Sequence, residues 1–299
     1  MILRRAWIFL LFVTGPCLLF AQEVDKELLL QDLRYLASDE LEGRKTLTDG
    51  NQKAREYIKR RFESLGLTSQ YSDYTQFFPV KDGKSGNNMG QGANIVGFIP
   101  GQESAKIIVI TAHYDHLGKV GDEIFNGADD NASGTAGLLS LAAYFAENNP
   151  KYSMIFAALD AEEKGLQGAR ALVKDFPFPL KDVLLNINMD MISRSVKNEL
   201  FATGTSHYPQ LKSIIEEVSE NKVNLRFGHD EPGIGAQDWT FASDHAVFHE
   251  AGIPFIYFGV EDHVDYHKAT DTFGHIDQDF YYHAVNLILQ CVKAFDEQL

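Results

Sequence analysis

Five short apolar runs constrain the fold more than any other feature of this chain. They are "ANIVGFIP" (93–100), "KIIVITAH" (106–113), "YSMIFAALD" (152–160), "VLLNINMD" (183–190) and "PFIYFGV" (254–260). Each is rich in Ile, Val or Phe and shows little alternation with polar residues, the texture of strands covered on both faces. Helical spacing fills several of the intervals, at 132–148, 166–176 and 208–220. Leu28, Leu29, Leu33 and Leu36 predict a helix across 24–41. Another is predicted over 51–65, stopped by Gly66, and a last one over 277–298. Strands alternating with helices predict an α/β fold, a three-layer α/β/α sandwich around a central mixed, mostly parallel sheet. Residues 70–92, rich in Gly, Asn, Ser and Asp, read as loop. There is no internal repeat or long linker.

The 299 residues, 44% of them hydrophobic, suffice for one large domain with a sizeable core. A formal charge of −15 argues against nucleic acid or an anionic membrane surface as partner. The first residues differ from the rest: Arg4 and Arg5 precede an apolar run over 6–20, and Ala21 stands where cleavage would fall. This pattern predicts a signal peptide at 1–21, too short in its apolar part for a comfortable membrane span. The expectation is export to the periplasm or exterior of a bacterium, with residues 22–299 as a single domain and no stable membrane association. Removing two arginines would make the chain two units more negative. It would also remove Cys17 and leave only Cys291, so no internal disulfide is expected.

The polar residues fall where strands end. His113 follows "IIVITA"; Asp160, Glu162 and Glu163 follow "MIFAAL"; Asp190 follows "LLNINM"; and the loop carrying His267 follows "FIYFGV". In open α/β sheets, sites form beyond the carboxyl ends of the strands. Asp115 in "TAHYDHLG" and the adjacent Asp129 and Asp130 in "NGADDNASG" join this set. Two imidazoles among many carboxylates suit zinc or a similar divalent ion, and an acid-rich set suits two ions sharing one carboxylate.

The order His-x-Asp, Gly-Ala-Asp-Asp-x-x-Ser-Gly, Asp-x-Glu-Glu-x-Gly-x-x-Gly, Asn-x-Asp-Met, Ser-Asp-His and Tyr-His-x-x-x-Asp-Thr resembles that of peptidase family M28, the zinc aminopeptidases and carboxypeptidases. The likeness runs from about Leu30 to the C-terminus, and "LRYLASDELEGR" is similar to exported bacterial members. The resemblance implies two Zn2+, replaceable by Co2+. His113 and Asp190 would bind one ion, Glu163 and His267 the other, and Asp129 would bridge both. It also implies a cis peptide between Asp129 and Asp130, with Asp130 outside the ligand set. Glu162 would be the general base acting on a bridging water, Asp115 would hold the second nitrogen of His113, and Tyr266 would help stabilise the tetrahedral oxyanion. The implied reaction is peptide hydrolysis on a peptide substrate, release of N-terminal residues being favoured by the short single-domain format.

Substrate contacts are less marked. Trp239, Phe241, Phe248 and Tyr257 are candidates for an apolar side-chain pocket or ordinary core, and Arg194 for meeting a substrate carboxylate. Glutaminyl cyclase shares the fold but uses one zinc, and the retention of both ligand pairs favours the hydrolase. The M20 peptidases insert a dimerisation domain for which the stretch between Asp190 and His267 has no room. A non-catalytic receptor on this fold would have lost ligands. The loop at 70–92 is too short for a protease-associated lid.

Overall fold

The computed structural model describes residues 23–218, 222–231 and 233–299. The expected leader at 1–21, with Cys17, lies outside them. The described chain opens with two helices, α1 (Lys26–Leu36) and α2 (Asp49–Ser64). Each begins at a side-chain cap: Asp25 accepts from the Leu28 amide, and Thr48 from that of Asn51. Then follow β1 (Thr75–Lys81), β2 (Asn88–Ile99), β3 (Glu103–His113) and a small hairpin, β4 (Gly118–Val120) with β5 (Glu123–Phe125). Helix α3 (Gly134–Glu147), β6 (Tyr152–Leu159), α4 (Gln167–Lys174) and β7 (Val183–Met189) continue the alternation. The last third holds β8 (Glu199–Thr203), α5 (Pro209–Glu216), β9 (Asn224–Phe227), α6 (His245–Glu250), β10 (Phe255–Gly259) and α7 (Gln278–Gln298).

Eight strands form one sheet in the order β1-β2-β6-β3-β7-β10-β8-β9. The centre, β6-β3-β7-β10, is parallel throughout. Antiparallel pairs flank it, β2 on β6 at one side and β8 on β10 at the other. The mixed, mostly parallel sheet is therefore as expected. After β3 the chain crosses to β6 on one side, and later to β7 on the other. The strand order thus reverses at the carboxyl end of β3, the place where open α/β sheets build their sites.

Residues alternate between two cores. Ile108, Ile110, Met154, Phe156, Leu185 and Ile187 face α1, α2, α3, α5 and α7. Ile107, Val109, Ile155, Ala157 and Leu159 face α4 and α6. Coverage on both faces explains the unbroken apolar runs.

Part of the stretch expected to be loop is paired. β1 and the start of β2 form an antiparallel edge hairpin within 70–92. It carries Pro79 and the glycines at 90 and 92, residues that read as breakers but are tolerated at a sheet edge. β8 and β9 were also unmarked by hydropathy, because an edge pair is only half buried and Glu199 meets Arg226 across it. α6, six residues long, is too short to show a period.

Cys291 is wholly buried in α7, and burial pushes its thiol up to about 12. It should therefore resist iodoacetamide in the native protein and label readily only on unfolding, as peptide-resolved mass spectrometry would report.

Candidate metal centre

His113 closes β3 at the reversal point, buried, and its two nitrogens have different surroundings. Nδ1 lies 3.1 Å from the carbonyl oxygen of Asp115, close enough to donate to it. The Asp115 carboxylate stands further off, at 3.7 Å. The backbone oxygen of Asp115 thus does the holding expected of its side chain. The carboxylate instead accepts from the Glu162 amide and from the Thr46 hydroxyl, each at 3.0 Å. A proton fixed on Nδ1 leaves the Nε2 lone pair free. Nε2 faces Asp190 Oδ1 at 3.3 Å and Asp130 Oδ1 at 3.4 Å.

The adjacent aspartates differ from expectation. Asp130, not Asp129, lies between the imidazoles. Its Oδ1 faces His113, and its Oδ2 is 3.1 Å from His267 Nε2. The Asp129 carboxylate points elsewhere: Oδ1 accepts from the amide and hydroxyl of Ser193, both at 2.7 Å, and Oδ2 lies 3.0 Å from His263. The cis peptide joins Asp130 to Asn131, so both expected features move one residue along together. Neighbouring side chains diverge, and spacing alone did not distinguish the two carboxylates.

The loop holding this pair is anchored by residues that the sequence reading had not singled out. Asp271, from "ATDT", accepts from the amides of Asp129 and Asp130 at 3.0–3.1 Å. Burial, with repulsion from Asp129, raises its carboxyl to about 6. Asn131 accepts from Gly134 and Met191 amides and donates to the Met189 carbonyl, tying the loop to the end of β7. Gly127 has a φ of 55°, and a Cβ there would meet the Asp130 carbonyl oxygen at 2.0 Å.

Glu163 and His267 complete a second group, 3.7 Å apart between Oε1 and Nε2. His116 was missed. It follows Asp115 directly in "HYDH", is buried, and lies 2.9 Å from Glu163. Its position next to a His-x-Asp motif was the available signal. Two triads result, His113–Asp130–Asp190 and His116–Asp130–Glu163, with Asp130 in both.

Glu162 is partly buried, within electrostatic reach of His113 and of several acids. Desolvation holds its carboxyl well above the ordinary range; His113 opposes this, while Asp244, Asp190 and Asp115 add to it. Asp244, from "SDH", is fully buried with neither oxygen hydrogen-bonded among the described residues. Burial raises it to about 7. Tyr266 stacks on His267 with ring centroids 3.9 Å apart, and burial pushes its hydroxyl up.

The candidate substrate contacts divide. Phe248 is fully buried in the core against α4, so it lines no pocket. Phe241 is 60% exposed and packs on His249. Trp239 stacks on His229 and meets Tyr257 edge-on, and the Tyr257 hydroxyl donates to the Asp190 carbonyl. Arg194 is engaged in an ion pair with Asp265 and is not a free cation.

A sequence profile for peptidase family M28 matches residues 94–292, well over half of the chain. The chain belongs to that family. It is 30% identical over 200 residues to "Aminopeptidase YwaD" of Bacillus subtilis, covering 62% of this chain and 40% of that protein. It is 27% identical over 195 residues to a "Probable leucine aminopeptidase" of Trichophyton verrucosum, covering 62% of this chain and 52% of the other. The chain thus spans about half or less of the length of these curated relatives. Among solved structures it resembles a Zn-dependent exopeptidase from Parabacteroides distasonis, with TM-score 0.72 and 17% identity over 92% of this chain and 99% of that one. The zinc aminopeptidase BSAP of Bacillus subtilis gives TM-score 0.71 and 18% identity over 91% and 95%. These likenesses establish the shared fold.

The donor set fits zinc. Imidazole nitrogens and carboxylate oxygens converge at 2.9–3.7 Å from one another, close to the edge of about 3.3 Å expected for a tetrahedron with bonds of about 2.0–2.1 Å. The charge pattern also suits a cation. Burial opposes charge on both His113 and Asp130, yet the imidazoles keep Asp130 well below the usual carboxylate range and the acids hold His113 well above its own. A divalent ion would take the place of such protons. Asp130→Ala should therefore abolish zinc uptake at both triads. Asp129→Ala should keep it while lowering stability by about 1–3 kcal/mol through the donors left unpaired. Zinc per chain after dialysis and urea unfolding would check both.

Proposed function

We propose that this chain is a di-zinc exopeptidase that removes N-terminal residues from peptides. The observation that carries the reading is Asp130, one carboxylate oxygen turned to His113 and the other to His267, with the desolvated Glu162 close enough to His113 to feel its charge. His113, Asp130 and Asp190 would hold one ion; Asp130, Glu163 and His267 would hold the other. Ions bound there would polarise the scissile carbonyl and make water acidic enough to attack near neutral pH. Glu162 takes the proton from the attacking water and passes it to the departing nitrogen. Its raised affinity for protons suits that exchange, and the positive charge of bound ions would lower it in part. Asp115, holding the Glu162 amide, sets where that carboxylate starts. Tyr266, stacked on His267 and within electrostatic reach of Asp130 and Asp190, is the candidate to meet the tetrahedral oxyanion.

Amino-terminal trimming is favoured over carboxy-terminal because Arg194, the candidate carboxylate anchor, is already paired with Asp265. The names of the relatives point the same way. Trp239, in edge-on contact with Tyr257 whose hydroxyl meets the Asp190 carbonyl, is the aromatic candidate to receive an apolar side chain. The described residues are joined by the one large sheet, in keeping with a single peptidase domain over 22–299. The basic and apolar leader favours export. No described helix is long and apolar enough to cross a membrane.

A peptide-library digest read by mass spectrometry tests the reading. Free N-termini should be trimmed, N-acetylated peptides spared, and chelation should stop the reaction. Trimming from the carboxyl end would refute it. Glu162→Gln should keep two zinc ions per chain yet lose at least about 100-fold in kcat. Near-normal turnover in that zinc-loaded variant would remove Glu162 from the base role.

A further inference from the structure

We propose that His116 is a fourth protein ligand of the second zinc, so that this ion is held by His116, Asp130, Glu163 and His267. The inference rests on the di-zinc reading above, to which it adds a ligand. Four atoms carry it: His116 Nδ1, Asp130 Oδ2, Glu163 Oε1 and His267 Nε2. Nδ1 lies 2.9 Å from Oε1 and 3.7 Å from Oδ2. Nε2 of His267 lies 3.1 Å from the same Oδ2 and 3.7 Å from the same Oε1. These edges straddle the spacing of about 3.3 Å that a tetrahedral zinc with bonds of about 2.0–2.1 Å requires. A hydrogen bond between His116 and Glu163 would account for the 2.9 Å contact alone. It would not account for Nδ1 also standing from Asp130 at the distance that separates His267 from Glu163.

The ring is built in. His116 is buried, packed against Gly127, where a Cβ would meet it at 2.5 Å. Its Nε2 has no partner among the described residues. That is a cost whether Nδ1 donates to Glu163 or binds an ion, so it does not choose between the two; the four edges from the imidazoles to Asp130 and Glu163 do. His267, by contrast, is 40% exposed. The second ion would thus have a buried imidazole on one side and an accessible one on the other. The first triad, His113–Asp130–Asp190, offers three protein ligands and keeps a position open. The two ions would differ: the second saturated by protein, the first available to substrate, in the way that closed zinc sites tend to be structural and open ones catalytic.

A crystal structure of the zinc-loaded full chain, phased on the metal, gives the direct test. His116 Nδ1 within about 2.2 Å of the second ion supports the assignment. Two ions bound with Nδ1 beyond about 2.8 Å, donating to Glu163, would overturn it and leave the di-zinc reading intact. A wild-type protein that binds no zinc would overturn both. In solution, His116→Gln should weaken the second ion by more than about 100-fold, beyond what loss of an outer hydrogen bond brings, while the first keeps its affinity. Cobalt absorption should report the same change, the intense visible bands of a tetrahedral site fading in the variant. If His116→Gln fails to fold, as near-ultraviolet circular dichroism would reveal, the wild-type crystal structure decides alone. A wild-type spectrum without tetrahedral character in a two-cobalt protein counts against the assignment.

Discussion

The rest of the site depends on one electrostatic fact: buried carboxylates outnumber buried cations at the carboxyl edge of the sheet. Asp115, Asp130, Asp160, Asp190, Asp244 and Asp271 are all largely inaccessible there. Desolvated like charges repel and cannot all stay ionised without compensation. Hydrogen bonds absorb part of the demand. Asp160 accepts from the Ala93 and Ala161 amides and from Asn51, and is still raised to about 7 by burial and by Asp115. Asp271 takes two backbone amides from the aspartate loop. Asp244 keeps no hydrogen bond among the described residues, and Asp130, Asp190 and Glu163 turn to imidazoles instead. The carboxylates that face imidazoles are those of the two triads.

The sequence marked which strands carry this edge, because chemistry collects at the carboxyl ends of buried strands. His113, Asp160, Glu162 and Asp190 each follow an apolar run, and the fold brings them together. It did not mark the half-buried edges. β1, β8 and β9 have polar or breaker residues on their exposed positions; β1 pairs locally with β2, whereas β8 finds β9 and β10 further along the chain. The centre was legible by residue type and less so by position. Adjacent aspartates look alike in a string of letters. Which one turns inward is decided by Ser193, His263 and Asp271, 64 to 142 residues from Asp129. His116 was hidden for a similar reason, since only folding places it against Glu163.

Small residues in "NGADDNASG" have a specific task in this frame. The loop must present Asp130 to two groups and then start α3 at once. Asn131 secures it to β7, and a Cβ on Gly134 would collide with the Met189 carbonyl at 2.3 Å. Gly127 lets the chain turn with left-handed backbone while leaving room for the His116 ring. The glycines allow close approach of backbone to strand ends, and rigid neighbours turn that closeness into a fixed direction for one carboxylate.

Arg44 connects this centre to a part of the chain that the family profile does not reach. It comes from "LASDELEGR", is completely buried, and forms no ion pair among the described residues. Its guanidinium donates to the carbonyls of Leu36, Tyr114, Asn126 and Gly127. Two of these belong to the start of the aspartate loop, and one follows His113. Burial lowers its hold on the proton to about 10, while Asp130, Asp271, Asp115 and Glu163 pull the other way. Arg44 therefore supplies a fixed positive charge to the acid cluster without occupying any carboxylate. Its planar fork can reach several backbone oxygens together, which a lysine ammonium could not reproduce. The N-terminal helices are thus part of the site's frame, since the segment between α1 and α2 fixes the loops from which His113, His116 and Asp130 project.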